Sequence, residues 1–123
     1  MRRNLVPGEK PLYWVASPLK DVSRFPSAVQ RTFGFALSAA QFGGKHPAAK
    51  PWKGEGPGIL EVVSDFDGDT FRAIYTVRFA DAVYVLHGFQ KKSPRGIATR
   101  QSDAELVKAR LRIARRDYEE KNE

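Results

Sequence analysis

Residues 58–93 constrain this chain more than any other stretch. They hold three segments rich in β-branched and aromatic residues, punctuated at Asp67-Gly68 and Ala80-Asp81. Such segments between turn signals read as consecutive antiparallel strands. A two-residue Asp-Gly loop also fixes register, setting Val63 opposite Arg72 and Glu61 opposite Ile74. The same logic across Ala80-Asp81 sets Ile74 against His87 and Arg72 against Phe89. Alternation then sorts the side chains. Leu60, Val62, Phe71, Ala73, Tyr75, Val77, Tyr84 and Leu86 form an apolar face suited to the floor of a core, while Glu61, Arg72, Arg78, His87, Phe89 and Lys91 fall on the opposite, open face.

The rest of the chain supplies elements to pack on this sheet. Residues 1–10 are charged and interrupted by Pro7-Gly8, which predicts a loosely held arm. Residues 11–16, Pro-Leu-Tyr-Trp-Val-Ala, have strand composition and suit an edge. Ser17-Pro18 opens a helical stretch, and a second, longer helix starts at Pro26, with Val29, Phe33, Ala36, Leu37 and Ala40 on one stripe and Gly43-Gly44 as its stop. Residues 44–58 read as a loop carrying Lys45, His46, Lys50, Trp52 and Lys53, with Trp52 expected over the sheet edge. Ser102-Asp-Ala-Glu105 is a capping box for a last helix, whose apolar stripe is Val107, Leu111, Ala114 and Tyr118. The expected fold is α+β: a small antiparallel sheet of about four strands, two N-terminal helices on one face and a C-terminal helix. One domain over 1–123 is expected.

Charge narrows the function. Lys and Arg number 21 against 14 Asp and Glu, a formal net charge of +7, which favours a polyanionic partner such as nucleic acid. Cysteine is absent, which removes disulfides, thiolate metal sites and thiol nucleophiles. No signal peptide and no apolar run of membrane-spanning length are visible, so a cytoplasmic protein is expected. His46 and His87 lack a Glu or Asp at ligand spacing, and Asp65, Asp67 and Asp69 fit a hairpin turn better than a calcium loop, so no metal and no cofactor are expected.

The open face carries groups suited to one chemistry. Attack of a ribose 2′-hydroxyl on its neighbouring phosphate needs a proton acceptor, a proton donor and positive charge around the phosphorane. Arg72 offers a fixed fork for phosphate oxygens, Lys91 and Lys92 offer point charges, His87 titrates near neutrality, and Phe89 offers a ring for base stacking. Lys50, Lys53, Arg78 and Arg95 add candidate backbone contacts. Each has a structural alternative: His87 as a satisfied strand histidine, Arg72 paired with Glu61 across the strands, and the lysines as a solvated strand end.

The blocks Lys50-Pro51-Trp52-Lys53-Gly54, Leu60-Glu61-Val62, Phe71-Arg72-Ala73-Ile74-Tyr75 and Leu86-His87-Gly88-Phe89-Gln90-Lys91-Lys92-Ser93 resemble the RelE/HigB superfamily of type II toxins, in particular its phage-derived HigB-like branch. The resemblance spans about residues 10–118. It implies a ribosome-dependent, metal-independent mRNA endonuclease that halts translation, held inactive by a cognate antitoxin, commonly a helix-turn-helix protein. By position it assigns Arg72 to the transition-state phosphate, Lys91 and Lys92 to the basic pair after the last strand, and His87 to proton transfer. Such toxins carry two basic residues on the second strand, where this chain has Glu61 and Val63; Glu61, or else Lys53, would then be the general base. Tyr118 lies on the apolar stripe rather than at a site. Two other functions fit the same fold: a ParE-like inhibitor of DNA gyrase, and a basic protein that binds RNA without cutting it.

Overall fold

The computed structural model describes residues 5–91 and 97–122, with side chains in the second segment from residue 101 onward. Its elements are β1 (Leu12–Trp14), α1 (Pro18–Val22), α2 (Ser27–Gln41), β2 (Ala49–Pro51), β3 (Ile59–Phe66), β4 (Asp69–Thr76), β5 (Val83–Lys91) and α3 (Ile97–Lys121). The strands make one five-stranded sheet in the order β1-β5-β4-β3-β2, antiparallel except where β1 runs parallel to β5. The α+β expectation holds; the four-strand antiparallel sheet does not. β2 lies inside the segment read as a loop, and it tolerates Pro51 because it is an edge strand with only β3 beside it.

The β3–β4 hairpin has the register read from the sequence, with Glu61 opposite Ile74 and Val63 opposite Arg72. Asp67 and Gly68 both take positive φ, 52° and 84°, the backbone that a two-residue hairpin loop demands. Helix α2 buries Val29, Phe33, Ala36, Leu37 and Ala40 against the sheet. It closes as expected: Gly43, at φ 84°, donates its N–H to Ala40 O, and Gly44 donates to Ala39 O. Gly88 lets α1 sit directly on β5, since a Cβ there would lie 2.7 Å from Val22 Cγ2.

Two further expectations are corrected. α3 starts at Ile97, ahead of the Ser102 capping box, so Ser102 lies inside the helix. The arm is also tied down before it reaches β1: Glu9 is buried, Lys10 N–H donates to Gln41 O, and Gln41 Nε2 donates to Lys10 O.

The sheet is covered on both sides. α2 and α1 seal one face around Val62, Phe71, Ala73, Tyr75, Val83 and Val85. Across the sheet α3 seals part of the other, packing Val107, Leu111 and Ala114 on Ile74, Tyr84 and Leu86. Among the described residues, no helix is long and apolar enough to cross a membrane.

Candidate functional site

The site face is set by an irregularity in β5. From Thr70 to Ile74, β4 pairs with β5 in the expected register, with Ile74 opposite His87 and Arg72 opposite Phe89. At Tyr75 the partner becomes Val85, so Leu86 is an extra residue with no partner on β4. A bulge of this kind puts two consecutive side chains on one side of the sheet. Val85 therefore faces α2, while Leu86 and His87 both face α3. This corrects the face assignment of Tyr84 and Leu86, which belong to the α3 side. The connection is also longer than Ala80-Asp81, running over residues 77–82. Arg110 of α3 caps the irregularity by donating from Nη1 to Leu86 O at 3.0 Å and from Nη2 to Ser17 Oγ at 3.1 Å.

On the α3 side, beyond the part that α3 seals, a row of charge crosses three strands. Lys50 stands opposite Glu61 in the β2–β3 ladder, and Arg72 is the diagonal neighbour on β4. Arg72 Nη1 donates to Glu61 Oε2 at 2.6 Å, and Lys50 Nζ lies 3.9 Å from Glu61 Oε1. Glu61 is buried, whereas the Lys50 side chain is 61% exposed. A carboxylate held between two cations is a fixed acceptor, and the remaining guanidinium N–H groups of Arg72 have no partner among the described residues. Phe89 lies beside Arg72 in the ladder, half-buried, and Lys91 follows two residues on, exposed.

His87 shares this face and is as buried as Glu61, but unlike Glu61 it is held by α3. Its ring stacks on Phe89 with centroids 4.5 Å apart, and its Nε2 lies 2.8 Å from Asp103 Oδ1 on α3. The carboxylate calls for the proton on Nε2, leaving Nδ1 as a bare acceptor, buried and without a partner among the described residues. Burial pulls the His87 pKa below its usual value, against the opposing pull of the Asp103 carboxylate. A second proton on Nδ1 would have nowhere to point. The expectation of an uncovered imidazole is thereby corrected, because α3 lies over it.

The remaining sequence candidates scatter. Arg78 lies past the end of β4 and holds the 54–58 loop, donating from Nε and Nη2 to Pro57 O and from Nη2 to Glu55 O. Lys53 is exposed in that loop. Lys92 and Arg95 lie outside the described residues. Trp52 packs its ring against the α3-side cluster, as expected. Two neighbours of the site are not visible in the sequence: Asp103, which nothing in its spacing links to His87, and Arg110, concealed in a basic run. An available signal was the unbroken apolar run of Val83, Tyr84, Val85 and Leu86, which is the pattern of a strand buried on both faces. Among the described residues, no group of three or more His, Asp or Glu is placed to hold a metal ion.

Residues 20–113 match the model of a family described as phage derived protein Gp49-like (DUF891). No curated protein and no solved structure matches the chain.

Proposed function

Because the chain belongs to the phage-derived Gp49-like family, a HigB-like toxin family, we propose that it is the toxin of a type II toxin–antitoxin pair. It acts in the cytoplasm as a ribosome-dependent mRNA endonuclease and is neutralised by a cognate antitoxin of the helix-turn-helix kind. The observation that carries the nuclease reading is the Lys50–Glu61–Arg72 row beside Phe89.

The row divides the chemistry as follows. A base of the substrate stacks on Phe89, and the scissile phosphate meets the unpaired N–H groups of Arg72, with Lys91 adding charge. Glu61 Oε1 accepts the 2′-hydroxyl proton as the 2′-oxygen bonds to phosphorus. The P–O5′ bond then breaks, water protonates the departing oxygen, and a 2′,3′-cyclic phosphate remains. Arg72 and Lys50 hold Glu61 in place throughout. His87 stays under α3 and positions Phe89 rather than touching RNA.

The test is induced expression followed by mapping of mRNA ends. Growth arrest with new 5′ ends inside translated messages, and cyclic phosphate at the matching 3′ ends, is the expected result. Arg72→Ala or Glu61→Gln should lower cleavage by about 10²-fold or more, the scale of losing one transition-state contact. Arrest with intact mRNA and broken DNA would replace this reading with gyrase inhibition.

A further inference from the structure

The outer face of α2, across the sheet from the charged row, is unlike a solvated helix face. Ser27, Arg31, Gly34, Phe35, Ser38 and Phe42 are all exposed and fall within one arc of roughly 100° around the helix axis. Phe35 is 65% exposed and Phe42 53%, the largest apolar groups the helix presents to water. Gly34 is the telling residue. A glycine in mid-helix costs about 0.5–1 kcal/mol relative to alanine, yet a Cβ at this position would meet nothing within 4 Å. The fold does not require it. A missing side chain here matters only to something that approaches from outside, over the shallow saddle that Gly34 and Ser38 form beside the two phenyl rings.

Charge selects the visitor. Residues 27–41 contain no Asp or Glu, and Arg31 sits in the middle of the arc. Arg24 and Lys45 stand just beyond the two ends of α2, and none of these three cations has an ion-pair partner among the described residues. A second copy of the chain fits poorly, since pairing α2 with itself joins two chains of net charge +7 and sets Arg31 against a face that has no carboxylate.

We infer that the outer face of α2 docks an acidic amphipathic helix of a partner protein, apolar residues over Phe35 and Phe42, backbone close to Gly34, and carboxylates toward Arg24, Arg31 and Lys45. Resting on the toxin reading, that partner is the neutralising antitoxin. It binds on the side of the sheet opposite Arg72, and so leaves the charged row unfilled.

The experiment uses the protein encoded by the adjacent reading frame as the probe, co-expressed with the full chain and also purified for calorimetry. Wild-type chain should arrest growth alone, and the neighbour should relieve the arrest. Gly34→Leu fills the saddle while favouring the helix, so affinity should fall at least tenfold with melting temperature unchanged or raised. Phe35→Ser should weaken binding similarly, and both variants should stay toxic in the presence of the neighbour. Neutralisation of both variants as efficient as that of the wild type overturns the docking site and leaves the toxin reading standing. A neighbour that does not bind the wild type, or a free chain that sediments as a dimer split by Gly34→Leu, also overturns it. Absence of growth arrest by the wild type removes the toxin reading first, and the docking proposal with it.

Discussion

Arg110→Met tests whether the bulge in β5 is held from across the sheet. The side chain reaches from α3 to Leu86 O at 3.0 Å and Ser17 Oγ at 3.1 Å, and Ser17 in turn donates to Asp21 Oδ2 at 3.0 Å. Leu86 is the unpartnered residue, so without the guanidinium its buried carbonyl loses this donor. A hydrogen bond from a charged donor contributes about 1.5–3 kcal/mol, and orphaning a buried acceptor costs about 1–3 kcal/mol. These overlap, and burying the guanidinium is itself unfavourable, which shows as a lowered Arg110 pKa. Methionine keeps the apolar stem. The expected loss is therefore about 2–3 kcal/mol, a large part of the stability of a small domain. In urea that is a midpoint shift of roughly 1–2 M at an unchanged slope. Arg110→Lys, with a single compact ammonium, should recover about half. Hydrogen exchange should localise the loss to β5, and cleavage should fall with it, because the bulge decides which side of the sheet holds His87, Phe89 and Lys91. A midpoint within about 0.3 M of wild type, with β5 amides as protected as before, would refute the reasoning.

Three further perturbations have defined outcomes. His87 is neutral when folded because burial lowers its pKa from 6.5, while the unfolded chain begins to take the proton near that value; stability should fall as pH drops below about 6.5, by up to about 1.4 kcal/mol per pH unit, and His87→Phe should flatten the slope. Gly68→Ala places a Cβ at φ 84° in the β3–β4 turn and should cost about 1–2 kcal/mol in a urea melt, whereas Asp67→Asn should be nearly neutral. Ribosome binding should weaken steeply between about 50 and 200 mM salt, with a smaller slope in Lys91→Gln, which removes a charge placed toward the phosphate.

The parts of the fold visible in the sequence were those fixed by local chemistry. Asp67-Gly68 admits one hairpin geometry, and the register of Glu61 and Arg72 follows from it. The α2 stripe from Val29 to Ala40 and the stop at Gly43-Gly44 are equally local. The pairing of Arg72 with Glu61, the structural alternative for Arg72, is what the ladder produces. The hidden parts depend on residues far apart in the chain. The bulge arises where β5 meets β4 and α3 together, through Arg110 and Leu86, and a two-residue turn carried by analogy to Ala80-Asp81 passes over it. Likewise α3 covers His87 through Asp103, sixteen residues downstream, a contact with no spacing rule behind it.

That cover allows a direct test of what His87 does. If the imidazole transfers protons to RNA, it must first leave Asp103, and Asp103→Asn, which removes the charge that holds it, should maintain or raise cleavage while His87→Ala abolishes it. The geometry argues for the other outcome. Nδ1 is buried without a partner among the described residues, the ring is flat against Phe89 at 21°, and the imidazole is one of the ties between α3 and β5. Removing either partner then loosens the same contact: each of Asp103→Asn and His87→Ala should lower the urea midpoint, and the double variant should cost less than the sum of the two. Cleavage measured well below the melting temperature should fall modestly in all three, far less than in Arg72→Ala. His87→Phe, which preserves the stack on Phe89 and has no proton to give, separates the cases most sharply. Near-normal cleavage by that variant is the expected result, and complete loss of cleavage with stability intact would return His87 to the reaction.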